Sequence, residues 1–227
     1  CPDVGLSPLY RVFVDGREIA VHAAPSYHFA VFTGRGSGEV RILANMPFRH
    51  VALRPRRLAL EALRQPDGAV TFAAEFPCNI IAEFDGGLKN ALFLLCNPPE
   101  EEQPALPEEG VIRFGPGLHD VGEMELRGGQ TVHLAQGAWV RGSFFAHGQA
   151  DVRICGRGVL DSSAPEPAGA AGGGAERKSR HALLFAQCTG VIVEGITIVN
   201  CPTWHVVPVA CDGVHISRVN ILGHHGT

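Results

Sequence analysis

The stretch Cys188-Thr189-Gly190-Val191-Ile192-Val193-Glu194-Gly195-Ile196-Thr197-Ile198 returns 23 residues later as Cys211-Asp212-Gly213-Val214-His215-Ile216-Ser217-Arg218-Val219-Asn220-Ile221, with the Cys, the Gly and four apolar positions coinciding. Upstream, Val132 and Leu134 followed by 138–140, and Val152 and Ile154 followed by Val159 and Leu160, keep the same beat of short strand, turn and short strand. Four coils are legible in this way, with residues 164–178 inserted between the second and the third. A repeat of about 20 residues cannot bury its own apolar positions and must stack on its neighbours. Stacked in parallel at about 4.8 Å per coil, alternate residues point inward and like residues line up in ladders. The expected architecture is a right-handed parallel β-helix, incomplete at its C-terminal end. A leucine-rich repeat has a similar period but needs a Leu ladder and an Asn that these coils lack.

Outside the repeat the grammar differs. Between residues 10 and 98, apolar runs at 10–14, 28–32, 40–43, 51–53, 70–72, 80–84 and 92–95 are separated by turn signals such as Asp15-Gly16, Asp67-Gly68 and Asp85-Gly86. Strands of about five residues at this spacing predict an antiparallel β-sandwich. Residues 57–64 fit either two helical turns or a strand. Residues 97–107 carry four prolines and three consecutive acids, which reads as an extended linker. The expected fold class is therefore all-β: a sandwich accessory domain with its linker over 1–107, then the first coils of a β-helix over 108–227. The 28 Gly and 16 Pro in 227 residues, together with 45% apolar content, fit a folded chain dense in turns.

The net charge of −4 and the lack of any long basic run remove the electrostatic footprint of a nucleic-acid binder. No stretch approaches 18 consecutive apolar residues, so no transmembrane helix is expected. Seven cysteines, at positions 1, 78, 96, 155, 188, 201 and 211, include no Cys-x-x-Cys pair. Most lie in apolar runs, so the reading is of reduced, buried small hydrophobes, not a zinc site or a full disulfide framework. Gly-rich runs such as 34–38 and 172–174 lack the Lys-Ser/Thr of a phosphate loop and read as turns.

Several segments resemble a known family. Phe114-Gly115-Pro116-Gly117-Leu118-His119, the run from Gly129 to Ala138, Ile154-Cys155-Gly156-Arg157-Gly158-Val159-Leu160-Asp161 and, above all, Asn200-Cys201-Pro202-Thr203-Trp204-His205 followed by Cys211-Asp212-Gly213-Val214 are similar to the polygalacturonase-like glycoside hydrolases of family 28. The resemblance covers 111–227. Dextranase-like enzymes also pair a sandwich with a β-helix. The resemblance implies hydrolysis of glycosidic bonds in pectic or related polymers with inversion, no cofactor or metal, and a polysaccharide or oligosaccharide partner. An extracytoplasmic location follows from that substrate class alone.

Inverting hydrolysis needs an acid and a base about 6.5–9.5 Å apart across the scissile bond. In the family these carboxylates lie in motifs that begin shortly after a segment like 214–223, so none is expected within this chain. They are expected after Thr227, and the 227 residues alone are expected to be inactive. The nearby acids are decoys: Glu194 and Asp212 are 18 residues apart, out of step with the 23-residue coil, and Asp212 sits in the turn register of Thr189. His147 reads as an exposed loop residue. Asp161 matches a family Asp, but Ser162 stands where a Gly is usual, and the insertion at 164–178 reads as a flap or a surface loop.

The candidate substrate-binding residues are Trp204, His205, His224 and His225. An exposed Trp204 would stack on a sugar and His205 would bond a hydroxyl. The apolar residues Val206, Val207 and Val209 directly after them favour instead a packed coil corner. His224 and His225 lack the Glu of a zinc motif, so no metal is expected there. Two further functional readings stand beside the hydrolase: a polysaccharide lyase on the same fold, which would need a Ca²⁺ site that no acidic cluster here supplies, and a non-catalytic carbohydrate-binding or adhesive β-helix. The exposed end of the last coil is also expected to invite self-association unless another segment caps it.

Overall fold

The computed structural model describes residues 5–100, 109–163 and 181–223. Nearly all of its regular structure is β, and the chain divides into two compact units, Pro2–Glu101 and Glu102–Thr227. His224, His225, the insertion at 164–178 and most of the Pro-rich segment fall outside the described residues.

The N-terminal unit contains β1 (Tyr10–Val14), β2 (Arg17–Ile19), β3 (His22–Ala23), β4 (Tyr27–Thr33), β5 (Gly36–Ala44), β6 (Val51–Arg54), β7 (Leu63–Arg64), β8 (Val70–Phe76), β9 (Asn79–Phe84) and β10 (Ala91–Asn97). They form two five-stranded sheets, ordered β2-β1-β5-β8-β7 and β3-β4-β10-β9-β6. Alternate residues of both sheets, among them Val12, Val40, Phe72, Phe32, Ile80 and Leu94, meet in one core. The expectation of a wholly antiparallel arrangement is corrected by β4 and β10, which run parallel with Tyr27 beside Ala91. Between them β5, β7 and β8 lie in the other sheet and β6 and β9 in this one, and β10, antiparallel to β9, enters beside β4 in the same direction. The ambiguous segment 57–64 is a single 3-10 turn at Arg56–Leu58, ended by Ala59 in the left-handed conformation, and then β7.

One buried titratable group gives this core a pH dependence. His28 of β4 faces inward, 5% exposed, with its ring edge-on to Tyr10 at 5.2 Å. Burial holds its pKa below the ordinary imidazole value, while burial also raises the Tyr10 phenol, whose OH donates to the Asn90 carbonyl at 2.7 Å. Unfolded His28 takes up a proton near pH 6.5 and the folded form resists it. His28 therefore contributes no penalty above that pH and lowers stability as the pH falls through and below it. Urea midpoints are expected to drop between about pH 7 and pH 5 in the wild type and to drop less in His28→Phe; equal slopes would contradict this account.

The second unit contains β11 (Val111–Phe114), β12 (Gly117–Glu125), β13 (Thr131–Leu134), β14 (Ala138–His147), β15 (Arg153–Gly156), β16 (Val159–Asp161), β17 (Leu183–Ala186), β18 (Ile192–Glu194), β19 (Thr197–Val199), β20 (Val206–Val209), β21 (His215–Ser217) and β22 (Asn220–Leu222). Every pairing among them is parallel and joins one coil to the next. One sheet runs β11-β13-β15-β18-β21. In the other, the long β14 lies on β12 and forks: its first half pairs with β16, then β19 and β22, and its second half with β17, then β20.

The 23-residue shift read from the sequence is the pairing register itself, since Ile192 lies beside His215 and Thr197 beside Asn220. Inward ladders follow: Ile112, Val132, Ile154, Val193 and Ile216 on one sheet, and Val140, Leu160, Ile198 and Ile221 on the other. Ile154, Val193, Leu160 and Ile198 are fully buried, whereas Ile216 and Ile221, the last rungs, are 44% and 48% exposed. Among the described residues no strand pairs with the far edges of β21 and β22, so these side chains face inward without a coil above them.

Candidate functional site

Two groups of polar and aromatic side chains occupy the coil corners where the resemblance placed its motifs. The first surrounds Asp161 at the end of β16, 4% exposed. Its Oδ2 accepts from Trp139 Nε1 at 3.0 Å, and its Oδ1 accepts from Ser163 N at 3.0 Å, Ser163 Oγ at 2.6 Å and Asn200 Nδ2 at 3.2 Å. Trp139 belongs to the coil before, Asn200 to the coil after. Asn200 reaches down because its own backbone is left-handed, φ 57°, at the end of β19. A carboxylate that already accepts four hydrogen bonds and is closed to water is a clamp across three coils, not a proton donor poised for a glycosidic oxygen. Next to it, Ser162 Oγ donates to the Gly142 carbonyl at 2.9 Å.

The second group lies where β17 and β20 begin. Trp204 is 69% exposed, so the packed-corner reading does not describe it. Its backbone is nevertheless held: the Trp204 carbonyl accepts from Ala182 N at 3.2 Å and from Cys201 Sγ at 3.2 Å. One coil below, His181 stands 6.1 Å from the indole with the two rings tilted by 36°, and His181 Nδ1 lies 3.0 Å from Thr203 Oγ1. His205 is half-buried beside Gly223, where an added Cβ would come within 3.1 Å of its Cε1. The structure thus brings Trp204 together with His181 and Thr203, and turns His205 toward the following coil. An open aromatic face with a hydroxyl and an imidazole beside it can stack on a sugar ring and bond its hydroxyls.

His181 and Thr203 were not singled out in the sequence. The signal for His181 was present, since it precedes Trp204 by the 23-residue period. The acids set aside in the sequence, and His147, occupy the following places. Glu194 is tied to Arg153 at 2.9 Å with Arg218 at 4.0 Å, on the outer surface of its sheet. Asp212 exchanges backbone hydrogen bonds with the Cys188-Gly190 turn, and His147 is exposed at the end of β14. Among the described residues no three His, Cys, Asp or Glu side chains group as a metal site would require, and no helix is long and apolar enough to cross a membrane. A shallow cleft of about 390 Å³ lies elsewhere, between residues 7–11 and 43–45 of the N-terminal unit.

No known family model and no curated protein matches the sequence. Among solved structures, the chain is similar to Dex49A from Penicillium minioluteum, with a TM-score of 0.66 at 13% identity over 96% of this chain. It spans 59% of the length of that protein. A protein from Parabacteroides merdae described as a candidate glycosyl hydrolase aligns over 49% of this chain and 59% of its own, at 19% identity and a TM-score of 0.43. The first likeness covers both units, and with it the chain shares the all-β, parallel-coil fold of Dex49A.

Proposed function

We propose that these residues are the N-terminal part of a polysaccharide-degrading glycoside hydrolase, in which an accessory sandwich precedes a right-handed parallel β-helix. Parallel crossovers are right-handed in nearly all proteins, which supports the handedness. The observation that carries the functional reading is the open Trp204 indole backed by His181 and Thr203 on the surface of a stack of parallel coils. The resemblance of the 200–214 segment to polygalacturonase-like enzymes and the fold shared with Dex49A support the same reading. In this proposal the acid and base come from further coils of a longer protein, because Asp161, Glu194 and Asp212 are committed to other bonds or turns. Those coils would also cover Ile216 and Ile221. His224 and His225 would then stand near the entrance to the catalytic coil, with His205 as a further hydroxyl partner. The alternative occupant of that exposed edge is a second copy of the chain.

Two polymers are the first to test: a pectic polymer, which the motifs favour, and dextran, which the pairing of a two-sheet unit with a coil stack favours. The 227-residue chain is expected to bind one of them in affinity electrophoresis without releasing reducing ends, and Trp204→Ala to weaken binding about five- to tenfold, the loss of one stacked ring of about 1 kcal/mol. The full-length protein is expected to release reducing ends with inverted configuration. Unsaturated uronate products would establish a lyase instead, and binding without turnover by the full-length protein would establish the adhesive reading.

A further inference from the structure

We propose that Cys78 and Cys96 form a reversible cross-strand disulfide site, joined when the protein meets a low-molecular-weight disulfide. In the antiparallel pair of β9 and β10, Leu92 lies opposite Ala82, Leu94 opposite Ile80 and Leu95 opposite Asn79. One further step sets Cys96 opposite Cys78, and the Cys96 N–H donates to the Cys78 carbonyl at 3.3 Å, so the ladder does reach this pair. Directly opposed residues project to the same face. Here that face is the inward one, shared with Ile80, Ala82, Leu92 and Leu94, and both thiols pack against that core. Hydrogen-bonded antiparallel partners have Cα atoms about 5.5 Å apart, inside the roughly 4.4–6.8 Å that a disulfide spans, while their Cβ atoms, up to about 5.5 Å apart, must close to about 4.5 Å, a shift that falls to Cys78, which precedes the first residue of β9. The two cysteines differ in access: Cys96 is buried and Cys78 is partly exposed. Cys96 Sγ makes only a long contact, 3.8 Å, to the Asn97 carbonyl, whereas in the other cysteine pair in register Cys188 Sγ lies 3.5 Å from Ala146 O and Cys211 Sγ 3.3 Å from Phe185 O, carbonyls of the coil before.

The chemistry is two thiol–disulfide exchanges. The Cys78 thiolate attacks one sulfur of oxidised glutathione, forming a mixed disulfide and releasing one glutathione thiolate. The Cys96 thiolate then attacks Cys78 Sγ and expels the second glutathione. Two protein thiols become one disulfide, one glutathione disulfide becomes two thiols, and the two protons pass to the glutathiones. Burial pushes the Cys96 thiol up to about 12, against a smaller lowering by a hydrogen bond from the Cys78 backbone, and burial raises Cys78 as well. Both steps are therefore slow at neutral pH, and closure speeds up about tenfold per pH unit.

The full chain is incubated with oxidised glutathione at about pH 8.5, alkylated, digested without reduction and mapped by mass spectrometry. The expected result is one linked peptide pair joining Cys78 to Cys96, reversed by dithiothreitol, with a melting temperature about 5–10 °C above that of the reduced protein. In Cys96→Ser the reaction stops at a glutathione adduct on Cys78; should that variant not fold, the wild-type map decides alone. A wild-type protein that stops at the Cys78 adduct, that links other cysteines, or that keeps both thiols alkylatable while folded overturns the proposal.

Discussion

Gly156→Ala is expected to destabilise the coil stack by at least about 4 kcal/mol and to lower its melting temperature by more than about 10 °C. Gly156 ends β15 with φ +123°, and a Cβ built there lies 1.9 Å from the Leu134 carbonyl oxygen of the coil below. That oxygen already accepts from Arg157 N at 2.8 Å and Gly158 N at 2.9 Å, so it cannot move without breaking the turn. Two costs combine: a conformation that L-residues rarely adopt, about 1–3 kcal/mol, and an overlap with backbone that no rotamer relieves. Gly148→Ala is the matched control, since Gly148 also has positive φ, +64°, but nothing within 4 Å of the added Cβ. It is expected to cost about 1 kcal/mol. Paired thermal melts separate the two terms, and equal losses would mean that the close approach at Leu134 is not there.

Asp161→Ala is expected to cost about 3–4 kcal/mol, because Trp139 Nε1, Ser163 N and Asn200 Nδ2 lose their acceptor in a site closed to water. Asp161→Asn keeps the shape but turns one accepting oxygen into a donor facing donors, and about half that loss is expected. The near-UV circular dichroism signal of the buried Trp139 ring should weaken in both. The same pair of variants distinguishes a clamp from a catalyst. If Asp161 acted on substrate, Asp161→Asn in the full-length protein would abolish turnover at unchanged stability. As a clamp, the loss of activity follows the loss of folded protein and recovers on cooling. An Asp161→Ala chain that melts like the wild type would overturn the clamp.

The last coils of the stack were legible because their pairing shift, Ile192 beside His215 and Thr197 beside Asn220, is the 23-residue sequence repeat itself, whereas the earlier steps differ in length. When the spacing of apolar residues equals the pairing shift, as for Val193 and Ile216, the sequence comparison is already a contact map. The first coil was harder to see, since in β12 the polar His119, Asp120, Glu123 and Glu125 and two glycines interrupt Leu118, Val121 and Met124, and among the described residues it rests on a neighbour at one edge only. In the N-terminal unit the strands were visible as apolar runs, but the parallel pairing of β4 with β10 joins residues 64 positions apart, as Tyr27 and Ala91 do, and no local pattern records that. At the site, the valines after Trp204 suggested burial. Val207 is indeed buried and Val206 partly so, but alternation describes a strand, and Trp204 lies at the corner before it, where the backbone turns the ring outward. His181 was missed because it lies before the repeat quoted from 188 onward, although the same 23-residue shift carries it onto Trp204.

The two pairing patterns also imply two different routes to the folded state. In the N-terminal unit β10 must find β4 across a long intervening chain, so a large loop has to close before that contact rewards it, which makes for a slow, all-or-none search. In the coil stack each strand touches only the coil before and the coil after, so any formed coil is a template for the next one, and order spreads by addition at its ends. A chain emerging from the ribosome would thus have to reach the end of β10 at Asn97 before the first unit could close, whereas the second could grow turn by turn as it appears.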